Sequence, residues 1–132
     1  MKKWFVVLCL IAMISLPYSS AKNDSWIKIT NPSPGLYFKG EEIFPLRSSV
    51  ILIGSYSLKV KAEGSDNIIA VYFALYDVRN KDIVNNHWDM EKSDGWNWDT
   101  ELKRGIYALM VAGAAIDFEE PVAIDWLFVV VI

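Results

Sequence analysis

The chain predicts an all-β fold, an antiparallel sandwich of about seven strands behind an N-terminal signal helix. Three observations carry the prediction. Apolar and polar residues alternate at period two in several runs, YSLKVKAEG the clearest. Clusters of Gly, Pro, Asn and Asp separate those runs, as turns require. Beyond residue 21 no stretch repeats apolar residues at helical spacing.

The first element is a targeting segment. Lys2 and Lys3 precede an uncharged apolar run from Trp4 to Leu16, and Ser19, Ser20 and Ala21 put small residues where a signal peptidase reads. The run is shorter than the roughly 20 residues a spanning helix needs. The expectation is a cleaved signal peptide over 1–21 and one domain over 22–132, secreted or held at the cell surface. Membrane contact is then expected only through an uncleaved signal segment. Cys9, the single cysteine, follows Leu8, where a lipobox needs a small residue. Without Lys2 and Lys3 the net charge moves from −3 to −5, the wrong sign for a nucleic-acid footprint. The exported part has no cysteine and so no disulfide framework; about 110 residues must hold together by core burial.

Along the domain, SWIKIT (25–30) reads as a strand that NPSPG stops. A long apolar insertion follows from Leu36 to Ile53. In Tyr56 to Gly64, Leu58, Val60 and Ala62 face one way and Lys59, Lys61 and Glu63 the other. Ser65 to Asn67 is a turn into the strand Ile68 to Asp77, with Ile69, Val71, Phe73 and Leu75 on one face. The polar stretch from Val78 to Gly95 reads as a loop with room for a short edge strand. WNWDT is a strand. In Gly105 to Ala114, Tyr107, Leu109, Val111 and Gly113 share a face, and Ala123 to Ile132 closes the chain.

The order of these motifs, ITNPSPGLY, IGSYSLKVKAEG, IIAVYFALYD, WNWDT and GIYALMVAGA, resembles the bacterial and archaeal immunoglobulin-like modules of exported and surface proteins. The resemblance covers about Ile27 to Ile132. It implies an immunoglobulin- or fibronectin-like sandwich in which Tyr107 is the tyrosine corner, its ring in the core and its hydroxyl on backbone. It also implies that Trp96 and Trp98 are core residues beneath that corner. The alternative for this tryptophan pair, which shares a strand face at spacing two, is a platform for a sugar ring.

Catalytic and metal chemistry find little purchase. His87 is the only histidine and lies in a polar stretch, and with no second histidine or cysteine the exported part cannot build a zinc site or a Cys-His pair. No nucleophile-elbow pattern accompanies His87. Asp89, Glu91, Asp94 and Asp99 carry oxygen ligands, but DMEKSDG places its glycine one step too late for a calcium loop. NPSPGLYF is similar to one loop of chagasin-like protease inhibitors, without that family's glycine-rich and Arg-Pro-Trp loops. The expectation is therefore no enzyme and no cofactor.

One feature departs from a solvated sandwich. With Tyr107, Leu109 and Val111 inward, Ala108, Met110, Ala112 and Ala114 point out. So do Ala70, Tyr72, Ala74 and Tyr76 on the strand of Phe73, and Trp126, Phe128, Val130 and Ile132 on the last strand. In the immunoglobulin topology these strands are neighbours, so their outer face is apolar and lacks Lys or Glu. Either Leu36 to Ile53 folds over it, or it is an interface for a homodimer or a protein partner. The candidate contact residues are Tyr72, Tyr76, Met110, Trp126, Phe128 and Val130. A carbohydrate-binding module using Trp96, Trp98 or Trp126 is the alternative function.

Overall fold

The computed structural model describes residues 25–116 and 120–132. The targeting segment, its cleavage point and Cys9 lie outside the described residues. Ten strands carry the fold: β1 (Ile27–Asn31), β2 (Gly35–Phe38), β3 (Glu41–Pro45), β4 (Ser49–Ile53), β5 (Ser57–Gly64), β6 (Ala70–Asp77), β7 (Asp82–Asp89), β8 (Trp96–Glu101), β9 (Gly105–Ala114) and β10 (Ala123–Val131). One 3-10 turn, Lys92–Asp94, leads into β8. The strands form two sheets, β1-β5-β8 and β3-β2-β4-β10-β9-β6-β7.

The expected all-β sandwich of two layers is present, with two corrections. The described residues form ten strands rather than about seven, and the large sheet is mixed rather than antiparallel. The stretch from Leu36 to Ile53 causes both. Lys39 and Gly40, at positive φ, make a two-residue link between β2 and β3, the conformation such tight hairpins need. β4 then returns to the other side of β2 and runs parallel to it and to β10. The insertion therefore widens the sheet instead of covering it. The polar stretch after Val78, read as a loop with room for a short edge strand, holds that edge strand at eight residues, β7, paired along β6. Asp77 shapes the turn between them: its Oδ1 accepts from the backbone N–H of Arg79 and Asn80, and its Oδ2 from Asn80 Nδ2. These bonds, the Asn80 backbone bond foremost, hold its carboxyl below the ordinary carboxylate value.

The core lies between the sheets. Ile27 and Ile29 of β1, Leu58, Val60 and Ala62 of β5, and Trp96 and Trp98 of β8 pack against Val71, Phe73, Leu75, Tyr107, Leu109, Val111, Leu127, Val129 and Val131. Alternation decides this: each of these strands offers every second residue inward. Phe73 and Trp98 touch across the layers with ring centroids 5.9 Å apart. Fully buried Ile68 plugs the end of the core beside two glycines. A Cβ on Gly113 would stand 2.6 Å from its Cδ1, and one on Gly64 2.9 Å. The close approach of Ile68 explains why glycine stands at 113.

Polar ties span the layers at their rims. The Ile29 N–H donates to Asp125 Oδ2 at 2.8 Å, joining β1 to β10. Asn85 Nδ2 donates to Thr100 Oγ1 at 2.6 Å, joining β7 to β8. Buried Asp89 accepts from the N–H of Glu91 on one oxygen and of Asn97 on the other, which fixes the passage from β7 to β8.

Candidate functional site

The large sheet's outer face is the candidate site. Because Val50, Leu52, Tyr37, Leu127 and Val129 belong to or pack on the inner core, their neighbours Leu36, Phe38, Ile51, Ile53, Trp126, Phe128 and Val130 face out. Cross-strand register keeps them together. Leu36 lies opposite Phe44 on one side and Ile51 on the other, Ile51 opposite Val130, and Val130 opposite Ile106. The apolar face thus runs continuously from β3 to β9. It continues across β9 and β6 through the pairs Ala108–Tyr76, Met110–Ala74, Ala112–Tyr72 and Ala114–Ala70.

The face has two halves. On β2, β3, β4 and β10 it is open. Trp126 and Phe128 are 39% and 40% exposed, Phe38 and Phe44 are also exposed, and Leu36, Ile51 and Val130 are half-buried. The Trp126 and Phe128 rings meet edge to face, with centroids 5.0 Å apart. Lys39 Nζ sits 5.5 Å from the Phe38 ring at the rim. On β6 and β9 the face is closed. Ala70, Tyr72, Ala74, Met110, Ala112 and Ala114 form a second buried cluster, all between 0% and 2% exposed. The Tyr72 ring leans on Trp88 of β7, centroids 5.1 Å apart.

The six candidate contact residues therefore divide. Trp126 and Phe128 are exposed and Tyr76 and Val130 half-buried, as a contact surface requires. Tyr72 and Met110 are buried, contrary to the expectation that alternation alone exposes them. Phe38, Phe44 and Ile51 join the open surface, and the sequence reading missed them. Their signal lay in the two-residue Lys-Gly link between LYF and EEIF, which marks a hairpin.

The remaining sequence candidates sit elsewhere. Trp96 and Trp98 are 4% and 7% exposed, inside the core between the layers. Their rings offer no face to a sugar. Tyr107 is buried, and its hydroxyl donates to the Lys103 carbonyl four residues upstream at 2.8 Å. That is the geometry of a tyrosine corner. His87 is exposed on β7 with its ring stacked near Phe73, centroids 6.4 Å apart. Of the acidic candidates, Asp89 spends both oxygens on backbone donors, and Glu91 accepts from Ser93 Oγ and N–H, which lowers its carboxyl below the ordinary value. Among the described residues, no cluster of three or more His, Cys, Asp or Glu side chains could hold a metal ion. No protein family, curated protein or solved structure matches the chain.

Proposed function

We propose that residues 22–132 form an exported, non-catalytic immunoglobulin-like module that binds a protein partner, or a second copy of itself, through the open half of its large sheet. The observation that carries this reading is the continuous apolar surface of Leu36, Phe38, Phe44, Ile51, Trp126, Phe128 and Val130 over four adjacent strands. Interface cores are enriched in aromatic residues and depleted in Lys and Glu, and this surface matches on both counts. Monomers seldom leave so continuous an apolar face in water.

The fold assignment has its own support. Strands β1, β5 and β8 face the run β10, β9, β6 and β7, an arrangement like that of an immunoglobulin-like sandwich, and β4, β2 and β3 extend the large sheet beyond β10. The Tyr107–Lys103 bond sits on the penultimate strand, where that fold keeps its tyrosine corner. Fold alone does not name a ligand, so the face and not the topology supports the function.

Sedimentation equilibrium on residues 22–132 tests it. Reversible self-association that Phe128→Asp abolishes, with far-ultraviolet circular dichroism unchanged, is the expected result for a second copy. A monomer that captures no surface protein, with or without Phe128, removes the proposal. The exposed Trp126 ring keeps a second reading open, a carbohydrate-binding module. Its test is quenching of tryptophan fluorescence by soluble polysaccharides, lost in Trp126→Ala.

A further inference from the structure

One end of the small sheet opens into a notch of about 470 Å3, lined by Tyr56, Ser57, Glu101, Leu102 and Lys103. Two links build it, the one between β4 and β5 and the one between β8 and β9. Ser57 and Glu101 stand opposite each other in the end pair of β5 and β8. Leu102 is buried, and Tyr56 is 44% exposed. Three hydrogen bonds hold the links in place. The Leu102 N–H donates to the Tyr56 carbonyl at 2.9 Å, the Tyr107 hydroxyl to the Lys103 carbonyl at 2.8 Å, and Arg104 Nε to the Tyr56 hydroxyl at 3.4 Å. The tyrosine corner thus anchors one link, and Arg104 ties Tyr56 of the other link to it. Groups fixed before a ligand arrives lose less conformational freedom when it binds.

We propose that this notch is a binding site for a neutral pyranose sugar, with Tyr56 as the ring on which the sugar stacks. Its volume falls within the roughly 300–1,000 Å3 of small-molecule sites. A pyranose has an apolar C–H face and a rim of hydroxyls. Tyr56 offers a flat apolar ring whose polar end is already held by Arg104. Around it stand a hydroxyl that donates and accepts (Ser57), a carboxylate that only accepts (Glu101) and an ammonium that only donates (Lys103). Sugar hydroxyls both donate and accept, so they can use all three. Among the described residues, none of these three side chains has a hydrogen-bond or ion-pair partner of its own.

Charge selects the class. Glu101 repels an anion and Lys103 a cation, and Arg104, the third charge, is turned to the Tyr56 hydroxyl. An apolar ligand would strip water from Glu101 and Lys103 and give nothing back. A neutral polyhydroxylated ring meets neither objection. The notch shares no residue with the open apolar face, so the inference does not rest on the interface proposed above. It differs also from a sugar laid on Trp126, which is on the large sheet. Loops at the end of a rigid sandwich are where such scaffolds carry ligands.

Amide chemical shifts test it. The 15N-labelled full-length chain is titrated with methyl β-D-glucopyranoside, methyl α-D-mannopyranoside and N-acetylglucosamine, each to about 50 mM, where even weak sites of millimolar affinity fill. The expected result is a saturable shift of the Tyr56, Ser57, Glu101, Leu102 and Lys103 amides with at least one of the three. Tyr56→Ala should weaken that binding about tenfold or more, the loss of a stacking ring. Trp126→Ala should leave it unchanged. No saturable shift with any of the three sugars overturns the proposal. So do shifts centred on Trp126, or an affinity that Tyr56→Ala does not alter. Should Tyr56→Ala disturb amides outside the notch, Glu101→Gln decides instead. It keeps the size of the side chain and removes its charge, and a severalfold loss of affinity supports the site where an unchanged affinity overturns it. Self-association of residues 22–132 is read separately, so either the notch or the open face can fail alone.

Discussion

The outer faces of the two sheets obey opposite rules. On the small sheet, Lys28 lies opposite Glu63, Lys59 opposite Asp99 and Lys61 opposite Asn97, all but Asn97 exposed. This face is written for water. On the large sheet the outward residues of β6, β9 and β10 are alanine, methionine, aromatic or branched aliphatic, and half of them are buried. Both faces are built by the same period-two alternation, so secondary structure does not explain the difference. What differs is composition: charged and polar side chains on one face, apolar ones on the other. One face of an antiparallel sheet normally stays wet, and a sheet apolar on both faces needs a second partner layer.

The largest expected effect comes from importing the small sheet's rule into the closed half. Met110→Lys puts an ammonium among Ala74, Tyr72 and Ala112, where no opposite charge stands in register. In the full chain it should lower unfolding free energy by on the order of 3 kcal/mol or more, read as a urea midpoint shift. Gly113→Ala ranks next. The added methyl meets three atoms of buried, β-branched Ile68, which has no free rotamer to retreat into. A loss of about 1–3 kcal/mol is expected by thermal unfolding, and Ile68→Val in the same chain should recover part of it.

These two positions also show how far the residues speak for themselves. The inward set of β5, β6, β9 and β10 was legible, because strict alternation fixes which side chains meet between layers, except that Ile68 and not Ile69 enters the core ahead of β6. The inward ring of Tyr107 was legible from the same alternation. The strands β2, β3 and β4 were not. SVILI is a continuous apolar run, and such runs carry no period. β7 was legible only as room for a short edge strand, for the opposite reason. DIVNNHWD is mostly polar because an edge strand with one half-buried face can afford it, and its register comes from β6 rather than from its own residues. Alternation marked the outward residues correctly but could not say which of them are covered. Burial of Tyr72 and Met110 depends on what lies over the sheet, and no local pattern encodes that.

Smaller effects sharpen the comparison inside the core and on the wet face. Tyr107→Phe removes the hydroxyl that donates to the Lys103 carbonyl and keeps the ring in place. The expected loss is about 1 kcal/mol, since the carbonyl retains access to water at the corner. A loss several times larger would mean the bond organises the whole link between β8 and β9. At the bottom of the scale, Lys59→Glu sets a carboxylate directly opposite Asp99 on the small sheet. Like charges in cross-strand register cost about 0.2–1 kcal/mol. Both groups are exposed, so salt should screen the penalty: it should shrink between low ionic strength and 1 M, where the Debye length falls to about 3 Å. The same substitution logic on the large sheet, Val130→Glu, is expected to leave folding nearly untouched, since Val130 is half-exposed, but to weaken association at every salt concentration. If Val130→Glu instead behaves like Lys59→Glu, with a small salt-sensitive effect on stability and none on association, the two faces differ in composition only, and the open apolar half has no partner to lose.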